Sequence, residues 1–497
     1  MNLALIIDVG TTNVKVGAVT PEGEVVARES APTPSLHPER GAFEHDPEAL
    51  LRVISELSRE VTRPRRDSIA FLGLSGYQFG FLPLDASGEP LTGMMTLLDD
   101  RPKRVMEHIR TTFPVEEIYR RTGCPPLFTY TLSKLVWLQK ELPDVFAKAD
   151  RFADLKSFLL ERLTGQFVTE PSIASATQLL NIHDHDWDDE MLAQVGIDRS
   201  ALPDVVPGEQ FIGTVTTTAA EALGIPNDTP VLPGLYDGGA MILGMGGVEE
   251  EVAVCNLGTT AMVRGCATAP VLDDPAQMRL QTYALMDGLW AVGGAMNNAG
   301  VALQWYRDKL DADATYEEIM GRAEQVEPGA EGLFCLPFLT GERDPRIGDA
   351  ASGAFFGLKE FHSGPHVARS ILEGVAYGLR MVQDAVVENG FSYDRMRIGG
   401  SGARSALWSE IVANTLDVSV EHTRTPDAAL VGEAMLGFTA LGTYDDLTGA
   451  SDAMVRVGAS FHPTDDLVET YRRGYDFFED LVETMSDLYQ RHAETFG

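Results

Sequence analysis

The stretch from Leu3 to Val19 carries side chains suited to binding a polyphosphate. The apolar run Leu3–Ile7 predicts a buried strand, and polar residues follow it directly. A carboxylate can hold hydrated Mg²⁺, a glycine lets the backbone approach a phosphate closely, and hydroxyl and amine groups can donate to phosphate oxygens. The residues concerned are Asp8, Gly10, Thr11, Thr12, Asn13 and Lys15.

The Gly-Thr-Thr string occurs a second time, about halfway along the 497-residue chain. Gly258-Thr259-Thr260 again follows an apolar run, Val252–Leu257, so the two halves look like copies of one design. We therefore expect two large domains, residues 1–245 and 246–497. One such string alone would be an ordinary hairpin turn, but two in corresponding places favour two phosphate-binding turns that face each other.

A single acid flanked by glycines ends another predicted strand. Residues 230–234 precede Asp237, and residues 240–243 begin a predicted helix. An aspartate in such a turn is exposed to whatever lies in the neighbouring cleft and is close to the N–H groups of the helix. Helix capping is the commonest role of an aspartate at this place, and it is compatible with a role in chemistry.

Three further segments carry polar residues that could contact a ligand. Asp99 and Arg101, at the end of an apolar segment, could hold a polyol hydroxyl through an acceptor and a donor, with a solvated charge pair as the alternative. The adjacent Asn297 and Asn298 could cap a helix or contact hydroxyls. The segment His183–Asp189 alternates His and Asp, but nothing apolar or cysteine-rich closes it, so an acidic loop is favoured over a metal site.

A glycine-rich turn lies between a predicted strand and a predicted helix at residues 399–405. Backbone exposed by such a turn can lie flat against a purine or a pyrophosphate. The turn does not match the Gly-x-Gly-x-x-Gly dinucleotide fingerprint. Neither Ser75 nor Ser401 stands in a Gly-x-Ser-x-Gly string, so the sequence does not support acyl transfer by a serine.

An alternating order of strands and helices must position these residues. Strands are predicted at residues 14–19, 25–26, 69–74 and 81–85, and a helix with proline in its first turn at residues 47–62. Residues 103–164 read as mostly helical. This order predicts a mixed α/β fold in which loops at the strand ends carry the chemistry.

The chain has a formal charge of −35, and its acidic residues are spread along its whole length. A dispersed acidic surface repels nucleic acid and anionic membranes, and it is typical of proteins from salt-loving organisms, so we expect a halophilic protein that is stabilised by salt. Four scattered cysteines without a Cys-x-x-Cys motif indicate reduced thiols. No apolar run reaches membrane-spanning length, and no basic leader precedes the first strand. We infer a soluble, cytoplasmic protein.

The motifs together resemble the FGGY family of carbohydrate kinases, in order and over essentially the whole chain. They are Asp8-Val-Gly-Thr-Thr, Gly234-Leu-Tyr-Asp-Gly, Gly258-Thr-Thr, Gly341-Glu-Arg, Glu373-Gly-Val-Ala-Tyr and Gly399-Gly-Ser-Gly-Ala-Arg-Ser. The resemblance implies two ribonuclease-H-like (actin-like ATPase) α/β domains flanking a central cleft. It also implies ATP and Mg²⁺ in the cleft and phosphoryl transfer to a sugar hydroxyl, a reaction that depends on alignment and charge neutralisation.

The resemblance also implies a role for each matching residue. Asp237 corresponds to the general base, and Asp8 to the acid associated with the metal. The phosphate-binding positions are Thr11, Thr12, Asn13, Lys15, Gly258, Thr259 and Thr260, and the adenosine positions are Gly400, Ser401, Gly402, Ala403 and Ser405. The substrate positions are Gly76, Tyr77, Asp99, Arg101, Asp237 and Asn298.

Within the family, residues 172–177, 293–298 and 338–343 are most similar to gluconate kinases. This implies phosphorylation of gluconate to 6-phosphogluconate, with xylulose, another pentulose or glycerol as the alternative acceptor. The family usually has an aromatic residue in place of Leu97 and a histidine in place of Phe79. Because gluconate is an anion, Arg101 and Arg343 are the candidates for local positive charge.

An alternative of another class is a non-catalytic, actin-like sensor that binds ATP and sugar without transferring phosphate. Such a sensor would have no need of an acid beside the hydroxyl, so Asp237 separates the two hypotheses. The sequence leaves the oligomeric state open, a homodimer included.

Overall fold

The computed structural model describes residues 2–249, 251–425 and 427–496, and it contains two α/β halves, each built around one large sheet. The first half holds the strands β1 (Leu3–Val9), β2 (Asn13–Val19), β3 (Val25–Pro32), β4 (Ser35–Leu36), β5 (Glu44–His45), β6 (Ile69–Gly76), β7 (Leu82–Leu84), β8 (Met94–Met95), β9 (Arg151–Ala153), β10 (Val168–Thr169), β11 (Leu180–Asn181), β12 (Asp186–Trp187), β13 (Asp204–Val205) and β14 (Val231–Leu232). Its helices are α1 (Pro47–Thr62), α2 (Met106–Thr112), α3 (Val115–Thr122), α4 (Thr131–Glu141), α5 (Pro143–Phe146), α6 (Leu155–Thr164), α7 (Pro171–Ala174), α8 (Asp189–Val195), α9 (Thr217–Leu223) and α10 (Asp237–Gly244).

The second half is organised in the same way and ends in a long helix. Its strands are β15 (Val252–Leu257), β16 (Ala261–Ala267), β17 (Gln281–Met286), β18 (Leu289–Met296), β19 (Phe334–Leu336), β20 (Ala354–Phe356), β21 (Arg395–Gly399), β22 (Ser419–Thr423) and β23 (Val457–Phe461). Its helices are α11 (Gly300–Leu310), α12 (Tyr316–Ala323), α13 (Gly364–Glu388), α14 (Ala406–Leu416), α15 (Ala428–Ala440), α16 (Leu447–Met454) and α17 (Asp465–Phe496).

The two sheets share one strand order. The first runs β14-β6-β1-β2-β3, and the second contains β22-β21-β15-β16-β18 within a seven-stranded sheet. In both, the first strand pairs antiparallel with its hairpin partner and parallel with the strand that follows on its other side. This correspondence confirms the predicted fold class of two related α/β units.

Strand β1 is buried on both faces, as its uninterrupted apolar run predicts. Leu5 and Ile7 belong to one cluster of apolar residues, whereas Ala4 and Ile6 belong to another on the opposite face. The alternation follows from the two-residue period of a strand. The strand is therefore packed on both faces up to its end at Val9.

Helix α1 has the bounds that the sequence predicts. The side chain of Asp46 accepts a hydrogen bond from the Ala49 N–H, and Pro47 occupies the first helical position, where its missing N–H costs nothing. The buried face of this helix includes Leu50 and Ile54 and packs on the first sheet.

Helix α15 belongs to the second half of the sequence but packs on the sheet of the first. Leu430, Val431 and Phe438 share an apolar cluster with Ala4 and Phe71. The helix also crosses α10, and at the crossing Gly244 faces the main chain of residue 428 while Gly432 faces the main chain of residue 240. A Cβ atom at either glycine would collide with a backbone carbonyl oxygen of the other helix. The division at residues 245 and 246 remains a prediction, because this core joins both parts of the chain.

Among the described residues, no helix combines the length and the apolar character needed to cross a lipid bilayer.

Candidate active site

A cavity of about 1090 Å³ lies between the two halves. Its size suits a ligand as large as a nucleotide, for which pockets of about 300–1,000 Å³ are usual. Both halves contribute to its wall, the first through Asp8, Gly10, Thr11, Thr12, Asn13, Lys15 and Asp237, and the second through Asn256, Thr260, Arg264, Gly399, Gly400, Ser401, Ala403 and Arg404. A second cavity of about 1130 Å³ adjoins it and shares Phe79, Thr260, Tyr283 and Arg343.

The Asp8 carboxylate lies at the end of β1, where strand pairing fixes its neighbours. The register places Asp8 opposite Lys15 on β2 and opposite Ser75 on β6. The Ser75 hydroxyl donates to Asp8 Oδ1 at 3.1 Å, and Lys15 Nζ is 3.7 Å from Oδ2. Burial raises the pKa of Asp8, whereas the charge of Lys15 opposes the rise.

Lys15 stands between carboxylates of the two halves. Its Nζ is 3.7 Å from Asp8 and also 3.7 Å from Asp427, just before α15. Arg28 approaches Asp427 at 3.0 Å. The amine is partly exposed to the cavity, so a phosphate could compete with these carboxylates for it.

Asp237 is the first residue of α10, because Tyr236 is still extended and the helix begins after it. The Gly238 N–H donates to Asp237 Oδ1 at 2.8 Å. Burial, together with the nearby negative charge of Asp8, raises the pKa of Asp237 to about 7. A carboxylate with that pKa can accept a proton near neutral pH.

The two Gly-Thr-Thr strings are the turns of the hairpins β1–β2 and β15–β16. In each turn the glycine N–H donates to a carbonyl two or three residues further on: Gly10 to Asn13 at 3.0 Å and Gly258 to Thr260 at 3.0 Å. Thr11, Thr12 and Asn13 reach the cavity from one half, and Thr260 reaches it from the other. Gly258 and Thr259 lie in the second turn but not on the cavity wall.

The glycine-rich turn after β21 also faces the cavity, through Gly400, Ser401 and Ala403. Gly400 has φ +89°, a conformation that favours glycine. Two predicted adenosine positions have other contacts. Gly402 is buried against Leu257, and the Ser405 hydroxyl accepts from the Trp408 N–H as the N-cap of α14. Arg404, which the sequence reasoning missed, lines the cavity instead.

Gly76 and Tyr77, predicted as substrate positions, lie behind the cavity wall. Tyr77 is buried, and its hydroxyl makes a 2.8 Å hydrogen bond with His45 Nδ1. The side chains that reach the cavity are those of the next two residues, Gln78 and Phe79. Gly76 and Tyr77 therefore remain unconfirmed as substrate positions, and the cavity wall begins one residue after them.

Asp99 and Arg101 contact each other and do not line either cavity. Arg101 Nε lies 2.9 Å from Asp99 Oδ1, and Glu44 and Glu39 also pair with the same guanidinium. Arg101 additionally stacks on the Trp137 ring, 4.7 Å from its centroid. The positive charge expected to attract an anionic sugar is therefore already compensated by carboxylates in this arrangement.

Asn298 is likewise committed to contacts within the protein. Its amide donates to the Gly341 carbonyl at 2.7 Å, and its Oδ1 accepts from the Thr340 N–H at 3.2 Å. Its neighbour Asn297 lies on the wall of the adjoining cavity and accepts from Arg343 Nε at 2.9 Å. Of the two arginines predicted to supply positive charge, Arg343 is the one that faces the cleft.

Residues 183–189 form ion pairs and helix caps. Asp188 caps α8 and pairs with Arg121 at 2.8 Å, and His183 contacts the carbonyl of residue 120. In the part of the chain that the structure describes, no group of three or more metal-binding side chains is present. Mg²⁺ bound with a nucleotide needs fewer protein ligands, since it takes one or two carboxylates together with phosphates and waters. The buried Asp8 beside the phosphate-sized turn fits that requirement.

Sequence reasoning also missed an aromatic and basic part of the wall, formed by Tyr236, Arg264 and Tyr283. A signal was present, since Arg264 interrupts an otherwise apolar strand and stands on the same face of β16 as Met262. Without a known partner for it, such an arginine cannot be assigned from the sequence.

Comparison with known proteins gives one consistent result. The model of the FGGY family of carbohydrate kinases, N-terminal domain, matches residues 3–244, and the model of its C-terminal domain matches residues 253–441. A gluconokinase from Bacillus subtilis (strain 168) is 29% identical, over 98% of this chain and 97% of that enzyme. The crystal structure of a ligand-bound xylulose kinase from Lactobacillus acidophilus has a TM-score of 0.95 at 26% identity, over 99% of this chain and 100% of that chain. A gluconate kinase structure from the same organism has a TM-score of 0.94, also at 26% identity and over 99% and 100% of the two chains.

Proposed function

The chain belongs to the FGGY family of carbohydrate kinases, and from that premise we propose that it transfers the γ-phosphoryl group of ATP to a hydroxyl of gluconate, giving 6-phosphogluconate and ADP. The observation that carries the proposal is the single cavity that contains Asp237, the first Gly-Thr-Thr turn and Thr260 of the second. Phosphoryl transfer requires a base at the acceptor and donors around the phosphates, and this cavity offers both.

In the proposed reaction the acceptor oxygen attacks the γ-phosphorus. The bond between that phosphorus and the β,γ-bridging oxygen breaks, and ADP leaves with the electron pair. The proton of the acceptor hydroxyl passes to the carboxylate of Asp237. Because the pKa of this group is raised to about 7, the carboxylate is a stronger base than an ordinary aspartate and is still largely ionised above neutral pH.

The charges of the triphosphate would be met from both halves of the protein. Lys15 and the hydroxyls of Thr11 and Thr12 approach from the first half, and Thr260 approaches from the second. The backbone turn at Gly400 and Ser401 provides the surface for the adenosine. Asp8 would hold Mg²⁺ together with the phosphates, and the ion would neutralise part of their charge.

Gluconate is preferred as acceptor because of the similarity to gluconokinases over the full chain. A pentulose is the second candidate, since the ligand-bound xylulose kinase superimposes equally well. The cleft itself adds one distinguishing feature, the presence of Arg264 and Arg343 on its wall. Positive side chains favour an acceptor that carries a carboxylate over a neutral one.

A screen of acceptors tests the proposal. The purified protein is incubated with ATP and Mg²⁺ and with gluconate, xylulose, ribulose or glycerol in turn, and ADP release is followed in a coupled assay. We expect gluconate to give the largest kcat/KM. A higher value for xylulose would transfer the assignment to the pentulose kinases, and ATP turnover that no polyol stimulates would support a non-catalytic sensor.

A further inference from the structure

Arg264 is a buried arginine on the cavity wall whose charge no carboxylate among the described residues compensates. It is 5% exposed, and its guanidinium donates to the Gln281 carbonyl at 2.9 Å and to Gln281 Oε1 at 3.3 Å. The guanidinium also lies over the Tyr283 ring, 4.8 Å from its centroid. Both hydrogen-bond acceptors are neutral, so the positive charge remains available to a ligand.

The other buried arginines of the described chain differ from Arg264 in this respect. Arg101 pairs with Asp99, Arg369 with Glu373 at 2.8 Å, and Arg397 with Glu249 at 2.8 Å. Within the described ranges, Arg264 forms no ion pair. Holding a buried charge without a counter-charge is unfavourable, so a bound anion beside Arg264 would offset part of this cost.

A second buried group without a partner stands close to Arg264. The Tyr236 hydroxyl is buried and makes no hydrogen bond within the described protein. The Tyr236 ring lies 5.9 Å from the ring of Tyr283, and the Arg264 guanidinium lies over that same Tyr283 ring, so the two groups are neighbours. Burial raises the pKa of the Tyr236 hydroxyl, and the positive charge of Arg264 opposes the rise. Tyr236 and Arg264 line the same cavity, and Tyr236 directly precedes Asp237.

We propose that Arg264 and the Tyr236 hydroxyl bind the carboxylate of a sugar-acid acceptor, while its far hydroxyl lies at Asp237. This inference rests on the proposed kinase function and assigns the acceptor class to named residues. A charge-assisted hydrogen bond from a guanidinium to a carboxylate is stronger than one to a neutral hydroxyl. An uncharged polyol would leave the arginine buried and unpaired, so the site rejects it.

The decisive comparison uses gluconate and its neutral counterpart glucitol, in which a CH₂OH group replaces the carboxylate. For Arg264→Gln we expect KM for gluconate to rise on the order of 10²-fold, with KM for ATP unchanged. Preference for gluconate over glucitol should fall by a similar factor. Arg264→Lys keeps the charge but loses the planar donors. Its KM for gluconate should therefore lie between the values for the wild type and for Arg264→Gln.

Tyr236→Phe supplies a variant that leaves the folded protein intact, because the hydroxyl it removes has no partner among the described residues. We expect it to raise KM for gluconate about tenfold and to leave KM for glucitol unchanged. Lys103→Gln is the matched control for general electrostatics. This lysine lies on the wall of the adjoining cavity, is exposed and pairs with Asp100 at 2.8 Å. Its replacement should therefore change neither KM for gluconate nor KM for glucitol.

The outcomes separate this inference from the proposed function. Two results would contradict the proposed carboxylate site without contradicting the proposed kinase function. One is that Arg264→Gln and Tyr236→Phe raise KM for gluconate and for glucitol by the same factor. The other is that Arg264→Gln raises KM for ATP instead. If Lys103→Gln raises KM for gluconate as strongly as Arg264→Gln does, gluconate is attracted by the general positive charge of the cleft and not by a specific carboxylate site. If no polyol stimulates ATP turnover in the wild type, the proposed function fails, and gluconate affinity measured by calorimetry still decides whether the anion site exists.

Discussion

Two features of Asp237 suit the proposed role of general base: it faces the cavity, and its pKa is raised. Replacement by asparagine keeps the side-chain volume and the acceptor for the Gly238 N–H while removing the basic carboxylate. We expect Asp237→Asn to lower kcat on the order of 10²–10⁴-fold. Binding of gluconate and of ATP, measured by calorimetry, should change little, and turnover close to that of the wild type would rule out the assigned role.

The raised pKa of Asp237 also predicts how the rate depends on pH. Because the base must be ionised, kcat/KM should be half-maximal near pH 7, level off about one pH unit above it and fall about tenfold per pH unit well below it. The profile is measured under acceptor-limited conditions between pH 5 and pH 8.5. A flat profile down to pH 5 would contradict the assignment. The residual activity of Asp237→Asn provides the control, since it should lack this dependence.

At the scale of single residues, the sequence located best those positions whose exposure to the cavity depends on the local backbone. Thr11 and Thr12 stand in the turn directly after β1, so their place on the cavity wall follows from the turn itself. Lys15 lies further along the same hairpin, on β2, and Asp237 lies at the start of α10. The substrate positions depend on distant partners instead. Nothing in the string around Arg101 reveals that Glu44 pairs with it, because the two meet only after the chain has folded.

At the scale of elements, the crossing of α10 and α15 brings the main chains of the two parts of the sequence into close contact. We expect Gly432→Ala to lower the melting temperature, because the new methyl group would meet the backbone carbonyl of Ala240. The cost should be about 1–3 kcal/mol, the usual range for overpacking. Gly321→Ala is the control, since Gly321 lies in helix α12 and a methyl group added there would extend into open space. Equal melting temperatures for both variants would show that the crossing tolerates a side chain.

Helix α15 also holds the segment before Asp237 in place. The Leu235 N–H donates to Glu433 Oε1 at 2.6 Å, and burial raises the pKa of this glutamate to about 8. The ordinary value is 4.5, so the folded protein binds one more proton than the unfolded chain between about pH 4.5 and pH 8. Its contribution to the free energy of unfolding therefore falls as the pH rises through this window, by about 1.4 kcal/mol per pH unit.

The glutamine of a Glu433→Gln variant cannot titrate, so the substitution should remove the contribution of Glu433 to the pH dependence of the free energy of unfolding. The variant and the wild type should have similar stability near pH 5, and the variant should be the more stable at pH 8. Denaturant unfolding at several pH values measures the difference. Parallel stability curves for the two proteins would show that Glu433 is ionised in the folded state.

The elements themselves were largely predictable, because their signals are local. Helix α1 has the predicted bounds and begins at the proline expected in its first turn, and the duplicated hairpin indicated the repeated sheet. The packing of α15 on the sheet of the first half was not predictable. Its sequence is apolar nearly all round, which indicates burial but not the partner.

At the scale of the whole molecule, ligands that contact both halves should draw them together. Thr11 and Thr12 lie on one side of the cavity and Thr260 and Gly400 on the other, so a bound triphosphate bridges them. We expect the radius of gyration from solution scattering to decrease when gluconate and a non-hydrolysable ATP analogue are both present. Either ligand alone serves as the control, and identical profiles in all conditions would contradict closure.

The contact of two glycines at the crossing of α10 and α15 has a consequence for divergence within the family. The main chains approach each other closely because neither Gly244 nor Gly432 carries a side chain, so this crossing does not accommodate a larger residue at either position. The proposed acceptor pocket is less constrained, since Arg264, Tyr283 and their neighbours contact the cavity through side chains. Substitutions in that pocket can therefore alter acceptor contacts without disturbing the crossing. A xylulose kinase and a gluconate kinase match this fold with nearly equal TM-scores.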